Sequence, residues 1–200
     1  SGKATRAAYG ETLVELAEEG VDVYAIDADL SGSTTTKKLA AVDPKRHLNA
    51  GIAEQNMTDV AAGLALAGKG PFAVFGTGRA YDQIRNTVCY SNLGVKLCPT
   101  HAGLSVGPDG GSHQMIEDIA LMRVLPHMRV LVPADYRSAK AAIRIAALTP
   151  GPFYVRLGRA PLPELYGKDV EFRLGRAQVL RAGSDVTILA CGLEVAQALA

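Results

Sequence analysis

Cysteine is scarce in this chain. Its three cysteines, Cys89, Cys98 and Cys191, stand at spacings that fit neither a disulfide framework nor a zinc site, so reduced, buried thiols are expected. Long hydrophobic runs are missing as well: no stretch of about eighteen apolar residues occurs, which excludes a membrane-spanning helix on the usual length criterion. The amino-terminal residues lack the basic-then-apolar pattern of a signal peptide, and a cytoplasmic protein is expected. Neither sign of charge dominates. Lys and Arg number 21 against 20 Asp and Glu, for a net charge of +1, and they are interspersed without the basic stripe that a nucleic-acid backbone requires. Nucleic acid is therefore not an expected partner. With 48% hydrophobic residues, the 200-residue chain is neither disordered nor collagen-like, and no internal repeat or low-complexity segment is visible.

What is present is an alternation of helical and extended patterns. Residues 4–19 carry Ala8, Leu13, Leu16 and Ala17 at helical spacing, Gly20 stops that helix, and residues 21–26 read as a strand. Helices are then expected over residues 58–67, 79–90, 113–124 and 135–147, with strands over 72–75, 95–98, 128–132 and 153–157. Strands separated by helices of that length predict right-handed crossovers and an α/β fold, a parallel sheet with helices on both faces. From about residue 160 the texture changes. We expect one domain over residues 1–160, a linker over 161–178 containing Pro161, Pro163, Glu164 and Gly167, and the start of a second α/β domain over 179–200. Short strands over 177–181 and 186–190 and a helix over 193–200 belong to that last part.

Ligands of parallel sheets bind beyond the carboxyl ends of the strands. Asp27, Asp29, Glu54, His101 and Arg159 all fall there. Glu54 lies in Gly51-Ile52-Ala53-Glu54-Gln55-Asn56-Met57, where an extended stretch meets an apolar helix, a position that can hold a carboxylate partly desolvated for proton chemistry or merely place it on a helix dipole. After the first strand, Ala25-Ile26-Asp27-Ala28-Asp29-Leu30 replaces any Gly-x-Gly-x-x-Gly, which argues against a dinucleotide site. Gly103-Leu104-Ser105-Val106-Gly107 matches the hydrolase nucleophile elbow, but Gly107-Pro108-Asp109-Gly110-Gly111 follows where an elbow needs a helix. Residues 100–113 read instead as a glycine-rich active-site loop with two histidines and an aspartate. Arg6 and Arg159 can reach the same sheet edge and grip a phosphate.

Taken together, Ala4-Thr5-Arg6, Asp27 to Ser33, Ala50 to Met57, Phe72-Ala73-Val74-Phe75, Thr100-His101 with Gly107 to Gln114, and Gly151-Pro152 through Arg159 resemble, in order, the pyrimidine-binding domain of transketolase-type, thiamine diphosphate-dependent enzymes. The resemblance implies that Glu54 hydrogen-bonds N1′ of the aminopyrimidine and favours the imino tautomer, whose N4′ takes the C2 proton of the thiazolium. It implies that Phe72 and Phe75 surround that ring, with Phe75 stacking on it, and that Asp29 and Leu30 line the cofactor. Arg6, Ser33, His101 and Arg159 match positions that bind the sugar phosphate. Asp109 and His113 match the pair that contacts the substrate hydroxyls and carbonyl, so that His113 and His101 join Glu54 as catalytic positions. A tyrosine common in the family is replaced within Gly76-Thr77-Gly78, and the chain looks short between Leu66 and Phe72.

The family's Mg²⁺ and diphosphate motif belongs to an amino-terminal domain. The resemblance therefore implies the carboxy-terminal subunit of a split transketolase, inactive by itself, with Mg²⁺ ligands on an amino-terminal partner subunit in a heterotetramer of two copies of each. Deoxyxylulose phosphate synthase shares the Arg79-Ala80-Tyr81-Asp82-Gln83 type of segment, and the β subunit of 2-oxoacid dehydrogenase E1 shares the split architecture. His101 and His113 with Arg6 and Arg159 favour a phosphorylated sugar over a bare 2-oxo acid. A non-catalytic partner protein of the same fold is the reading from another class.

Overall fold

A computed structural model describes residues 2–64, 67–69, 71–168 and 171–200 of the chain. In order, the helices and strands are α1 (Thr5–Glu18), β1 (Tyr24–Asp27), α2 (Ser31–Thr34), α3 (Lys37–Val42), β2 (His47–Asn49), α4 (Glu54–Leu64), β3 (Ala67–Lys69), α5 (Ala73–Gly78) and α6 (Tyr81–Gln83). There follow a π-helical turn (Ile84–Cys89), β4 (Lys96–Leu97), two 3₁₀ turns (Leu104–Asp109 and Gly111–His113), α7 (Asp118–Arg123), β5 (Arg129–Leu131), α8 (Tyr136–Leu148), β6 (Phe153–Val155) and α9 (Glu194–Leu199). Six strands form one sheet in the order β2-β1-β3-β4-β6-β5, and every pairing is parallel.

Successive strand residues point to opposite faces, and the core divides accordingly. Ala25, Phe153 and Val155 pack with Ala8, Tyr9 and Leu13 of α1 and with Ile143 and Ala146 of α8. Ile26, Leu97 and Tyr154 pack on the other face with Met57 and Ala61 of α4, Ile84, Val88 and Met122. This is the doubly covered sheet expected from the alternation. Helix α8 begins on a capping box, in which the Asp135 carboxylate accepts from the Ser138 backbone N–H and the Ser138 hydroxyl accepts from the Asp135 N–H. Its outer face is tied to α1 by Lys140–Glu15 and Arg144–Glu19 ion pairs.

Several expected boundaries shift. Residues 72–75 are not a strand: the strand is Ala67–Lys69, and Phe72 is the extended N-cap of α5, whose turn closes with Gly76 N–H on the Phe72 carbonyl at 2.8 Å. An apolar run of four does not distinguish strand from buried helix. The helix expected over 58–67 begins at Glu54 and is described to Leu64; residues 65 and 66 lie outside the described residues, as does part of the segment that looked short before Phe72. Residues 79–90 form α6 and a π turn rather than a regular helix, and residues 113–117 are not α-helical. Neither 177–181 nor 186–190 is a strand. Val179, Val186, Ile188 and Leu189 are exposed there, and no described strand pairs with them. Cys89 and Cys98 are buried as expected, whereas Cys191 is exposed. Among the described residues no helix is long and apolar enough to cross a membrane.

Candidate functional site

Several of the singled-out side chains follow the carboxyl ends of strands, Asp29 after β1, Glu54 after β2, Phe72 after β3, His101 after β4 and Arg159 after β6, whereas Arg6 stands in the first turn of α1. The strand order departs from chain order around β1, with β2 on one side and β3 on the other, the kind of position at which such sheets bind ligands. At the end of β1, Asp27 is fully buried and accepts from the Leu30 N–H, the Thr36 hydroxyl and His47 Nε2. That network pins the turn that carries Asp29 and Leu30. Asp29 has φ +62°, an uncommon conformation for a non-glycine residue, and its N–H donates to Asn49 Oδ1 at 3.0 Å. Asn49 Oδ1 also accepts from Gly51 N–H at 2.9 Å, so one side chain links the ends of β1 and β2 just before Glu54.

Ser33 reaches the site through packing. Gly10 of α1 has no Cβ where one would stand 2.3 Å from the Thr35 carbonyl, which lets the 31–36 loop lie directly on α1. Thr35 then accepts from Gly10 N–H and donates to the Arg6 carbonyl at 2.8 Å, and Arg6 Nη1 donates to the Ser33 carbonyl at 3.2 Å. The contact recorded for Ser33 is thus through its backbone.

His101 is the hub. Only 2% exposed and at φ +61°, it stacks on Phe72 with ring centroids 3.9 Å apart and pairs through Nδ1 with the Thr100 hydroxyl at 2.7 Å. Burial pushes its imidazole pKa down to about 4; Arg6, Arg159 and His113 push the same way and Asp109 opposes them. The imidazole is neutral near pH 7. Arg159 pairs with Asp109 at 3.4 Å, and burial followed by repulsion from Arg159 lowers the Arg6 pKa. His113 meets the edges of Phe75 and Phe72 at 5.1 and 6.1 Å. Arg6, His101, Asp109, His113 and Arg159 therefore form one electrostatic cluster against the two phenylalanines. Asp29 and Leu30 are held apart from that cluster, by Asn49 and Asp27 respectively.

Because His101 titrates below an unfolded histidine, the unfolded chain takes up more protons between about pH 6.5 and about pH 4. The contribution to stability is complete above that window and lost on acidification through it. His101→Asn is expected to flatten the fall of Tm across this range, and an unchanged slope in a pH series of thermal unfolding would contradict it.

Glu54 opens α4 with its side chain 5% exposed. Arg79, singled out in the sequence only as part of a family segment, is the residue that sequence reasoning missed here. Its guanidinium lies 3.3 and 3.4 Å from the two Glu54 oxygens and 4.2 Å from the centre of the Phe75 ring. A buried carboxylate and an aromatic face thus converge on one flat, hydrogen-bond-donating group. An aminopyrimidine has the same shape and donor character, so these residues fit the ring half of thiamine diphosphate. Among the described residues no group of three or more His, Cys, Asp or Glu is arranged to hold a metal ion. Ser105 of the elbow-like motif sits in a 3₁₀ turn broken at Gly107 (φ +66°, ψ −105°), which is not the strand–turn–helix of a nucleophile elbow.

Comparison with known proteins places the fold in a family. Residues 1–164 match the model of the transketolase pyrimidine binding domain. The chain is 48% identical over 203 residues to a protein of Methanocaldococcus jannaschii described as a transketolase C-terminal section, covering 98% of this chain and 64% of that protein. It is 39% identical to a 6-deoxy-6-sulfo-D-fructose transketolase subunit of a Clostridium species, covering 97% and 62%. A solved structure described as a split gene transketolase, inactive β4 tetramer, superposes with a TM-score of 0.90 at 50% identity, covering all of this chain and 66% of that one. The chain spans less than two thirds of the length of these curated relatives. With the parallel sheet, the carboxylate at the start of α4 and the match over residues 1–164 in agreement, the chain belongs to the transketolase family, of which it carries the pyrimidine-binding domain.

Proposed function

We propose that this chain is the pyrimidine-binding part of a two-subunit, thiamine diphosphate-dependent transketolase that moves a two-carbon ketol unit between sugar phosphates in the cytoplasm. The observation that carries the reading is the convergence of Glu54 and Phe75 on a single flat donor beside the His101–Arg159 cluster. When bound, thiamine diphosphate would supply the nucleophilic carbon that carries the two-carbon unit after its C–C bond to the donor breaks, the donor leaving as an aldehyde and an acceptor aldehyde taking the unit up. Glu54 holds a proton at N1′ of the aminopyrimidine, Phe75 stacks on the ring and Phe72 backs it, with Asp29 and Leu30 at the edge. Mg²⁺ and the diphosphate belong to an amino-terminal partner subunit, in a heterotetramer. That the 50% identical relative is described as an inactive β4 tetramer supports a need for such a partner.

On the substrate side, Arg6 and Arg159 present two fixed cations to a tetrahedral oxyanion, with Ser33 and His101 beside them. The relative named for a sulfosugar fits the same clamp, because a sulfonate offers the same trigonal face of oxygens to a guanidinium. Thr100 Oγ1 and His101 Nδ1 share a hydrogen bond; with the hydroxyl as donor, the neutral ring presents Nε2–H to the sugar phosphate, while Asp109 and His113 face the substrate hydroxyls and carbonyl oxygen. His113, edge-on to the rings, is the proton donor to that oxygen.

The test is calorimetry of thiamine diphosphate with Mg²⁺ against the full-length subunit alone and against its complex with the amino-terminal-half subunit. Binding and xylulose 5-phosphate turnover in the complex alone are expected; absence of binding in both refutes the reading. Donor and acceptor assays on the same complex separate it from a deoxyxylulose phosphate synthase or a 2-oxoacid dehydrogenase subunit. Arg159→Ala is expected to raise KM for phosphorylated sugars by about one to two orders of magnitude with kcat little changed, as the loss of one charge-assisted contact of ~1.5–3 kcal/mol implies. An effect confined to kcat would contradict a binding role.

A further inference from the structure

Arg79 has no part in the reaction as proposed, yet it holds the two groups that the cofactor ring needs. Its guanidinium lies at stacking distance, 4.2 Å, from the Phe75 ring and shares Nη1 between both oxygens of the Glu54 carboxylate. Glu54 is 5% exposed, whereas the Arg79 side chain is 54% exposed. The asymmetry is informative. A buried carboxylate needs a partner to offset its lost hydration, and removing that partner is costly. The partner here is an arginine with an open path to solvent, standing at the C-cap of α5, where its own backbone N–H is already bonded to the Phe75 carbonyl.

Two flat groups cannot stack on the same face of Phe75. The Glu54 oxygens that a ring nitrogen would meet are likewise the ones now taken by Arg79 Nη1. We propose, resting on the cofactor reading above, that Arg79 is a displaceable stand-in for the aminopyrimidine: it occupies the Phe75 face and neutralises Glu54 in the cofactor-free protein, and binding is an exchange in which the ring enters as the guanidinium swings to solvent. Arg79 is then a positioning residue that keeps the pocket formed and its acid compensated between loadings. The exchange weakens cofactor affinity by the strength of the contact it breaks. A residue that helped bind the cofactor would have the opposite effect.

The experiment uses the full-length two-subunit complex with Arg79→Met, which keeps the aliphatic stem and removes the charge. Two quantities are read: Tm of the cofactor-free complex by calorimetry, and Kd for thiamine diphosphate with Mg²⁺ by titration. Exchange predicts opposite signs, a lower Tm without cofactor but a Kd tightened about threefold to tenfold, the range of a partly exposed ion pair together with its cation–π contact. In a Glu54→Gln background the Tm effect of Arg79→Met should shrink, because the ion pair is already lost and only the contact with Phe75 remains. Wild-type binding together with a weaker or unchanged Kd in the variant overturns the exchange alone. An undiminished Tm effect in the Glu54→Gln background also overturns it. Failure of both complexes to bind thiamine diphosphate overturns the cofactor reading, and the exchange with it.

Discussion

On the proposed function, Glu54→Gln is expected to lower kcat of the proposed two-subunit complex by about two to four orders of magnitude, the usual range for loss of a positioned general acid–base, while assembly is unaffected. Glutamine keeps the shape of the side chain and a hydrogen bond to a ring nitrogen, but it cannot exchange a proton there. The surroundings make the effect specific. Glu54 sits in the first turn of α4, with the helix running behind it over Met57 and Ala61 into the core, so the backbone has no freedom to bring another acid into its place. The carboxylates at the end of β1 are held as well, Asp29 by Asn49 and Asp27 by the Leu30 N–H, Thr36 and His47. Glu54→Ala removes the hydrogen bond as well and is expected to abolish turnover. Steady-state rates with xylulose 5-phosphate, alongside sedimentation of the complex, decide the matter. Turnover within threefold of wild type would remove Glu54 from the reaction.

The position of Glu54 was legible because two local signals coincide there: an extended, small-residue stretch with a φ-permissive Gly51, then helical periodicity. The sheet was legible for a similar reason, since Val, Ile and aromatic runs alternate with amphipathic helices. Other features depend on contacts distant in sequence. The strand at 67–69 is only three residues long, and nothing local marks it as central; its neighbours β1 and β4 define it through pairing. Phe72 looked like part of a strand because its buried partners, Thr100 and His101, lie 28 and 29 positions further on. The exposed apolar residues at 179–189 show the reverse case, in which a strand-like pattern finds no sheet among the described residues. Arg79 could not be seen from sequence at all, because its meaning lies in two contacts, one of them 25 residues away.

The second large effect lies beneath the site. Asp118 is fully buried and accepts from the Tyr154 hydroxyl at 2.6 Å and from Arg156 at 2.7 and 3.3 Å. Burial first, and then the Asp118 carboxylate, hold the Tyr154 phenol pKa well above its ordinary value, so the hydroxyl remains a donor at every working pH. Asp118→Ala leaves a largely buried guanidinium and a buried phenol without their acceptor, at an expected cost of about 3–5 kcal/mol. That is a large part of the ~5–15 kcal/mol that holds a typical domain together. The damage extends to the site. Arg156 Nη2 also donates to the Met115 carbonyl, which accepts from Gly103 N–H at 2.9 Å, and Gly103 lies so close to Arg156 that an added Cβ would stand 3.1 Å from it. This one arginine therefore closes both ends of the 103–115 loop that carries Asp109 and His113. In the fraction that still folds, KM for the sugar phosphate should rise although Asp118 never meets the substrate. Pairing Asp118→Ala with Arg156→Met removes the stranded charge and should recover a good part of the lost stability, without recovering KM, because the loop is still untied. Denaturant unfolding of the three variants together with KM checks both halves: additive losses in the double variant would show that the two residues do not form one unit, and a normal KM would show that the loop holds itself.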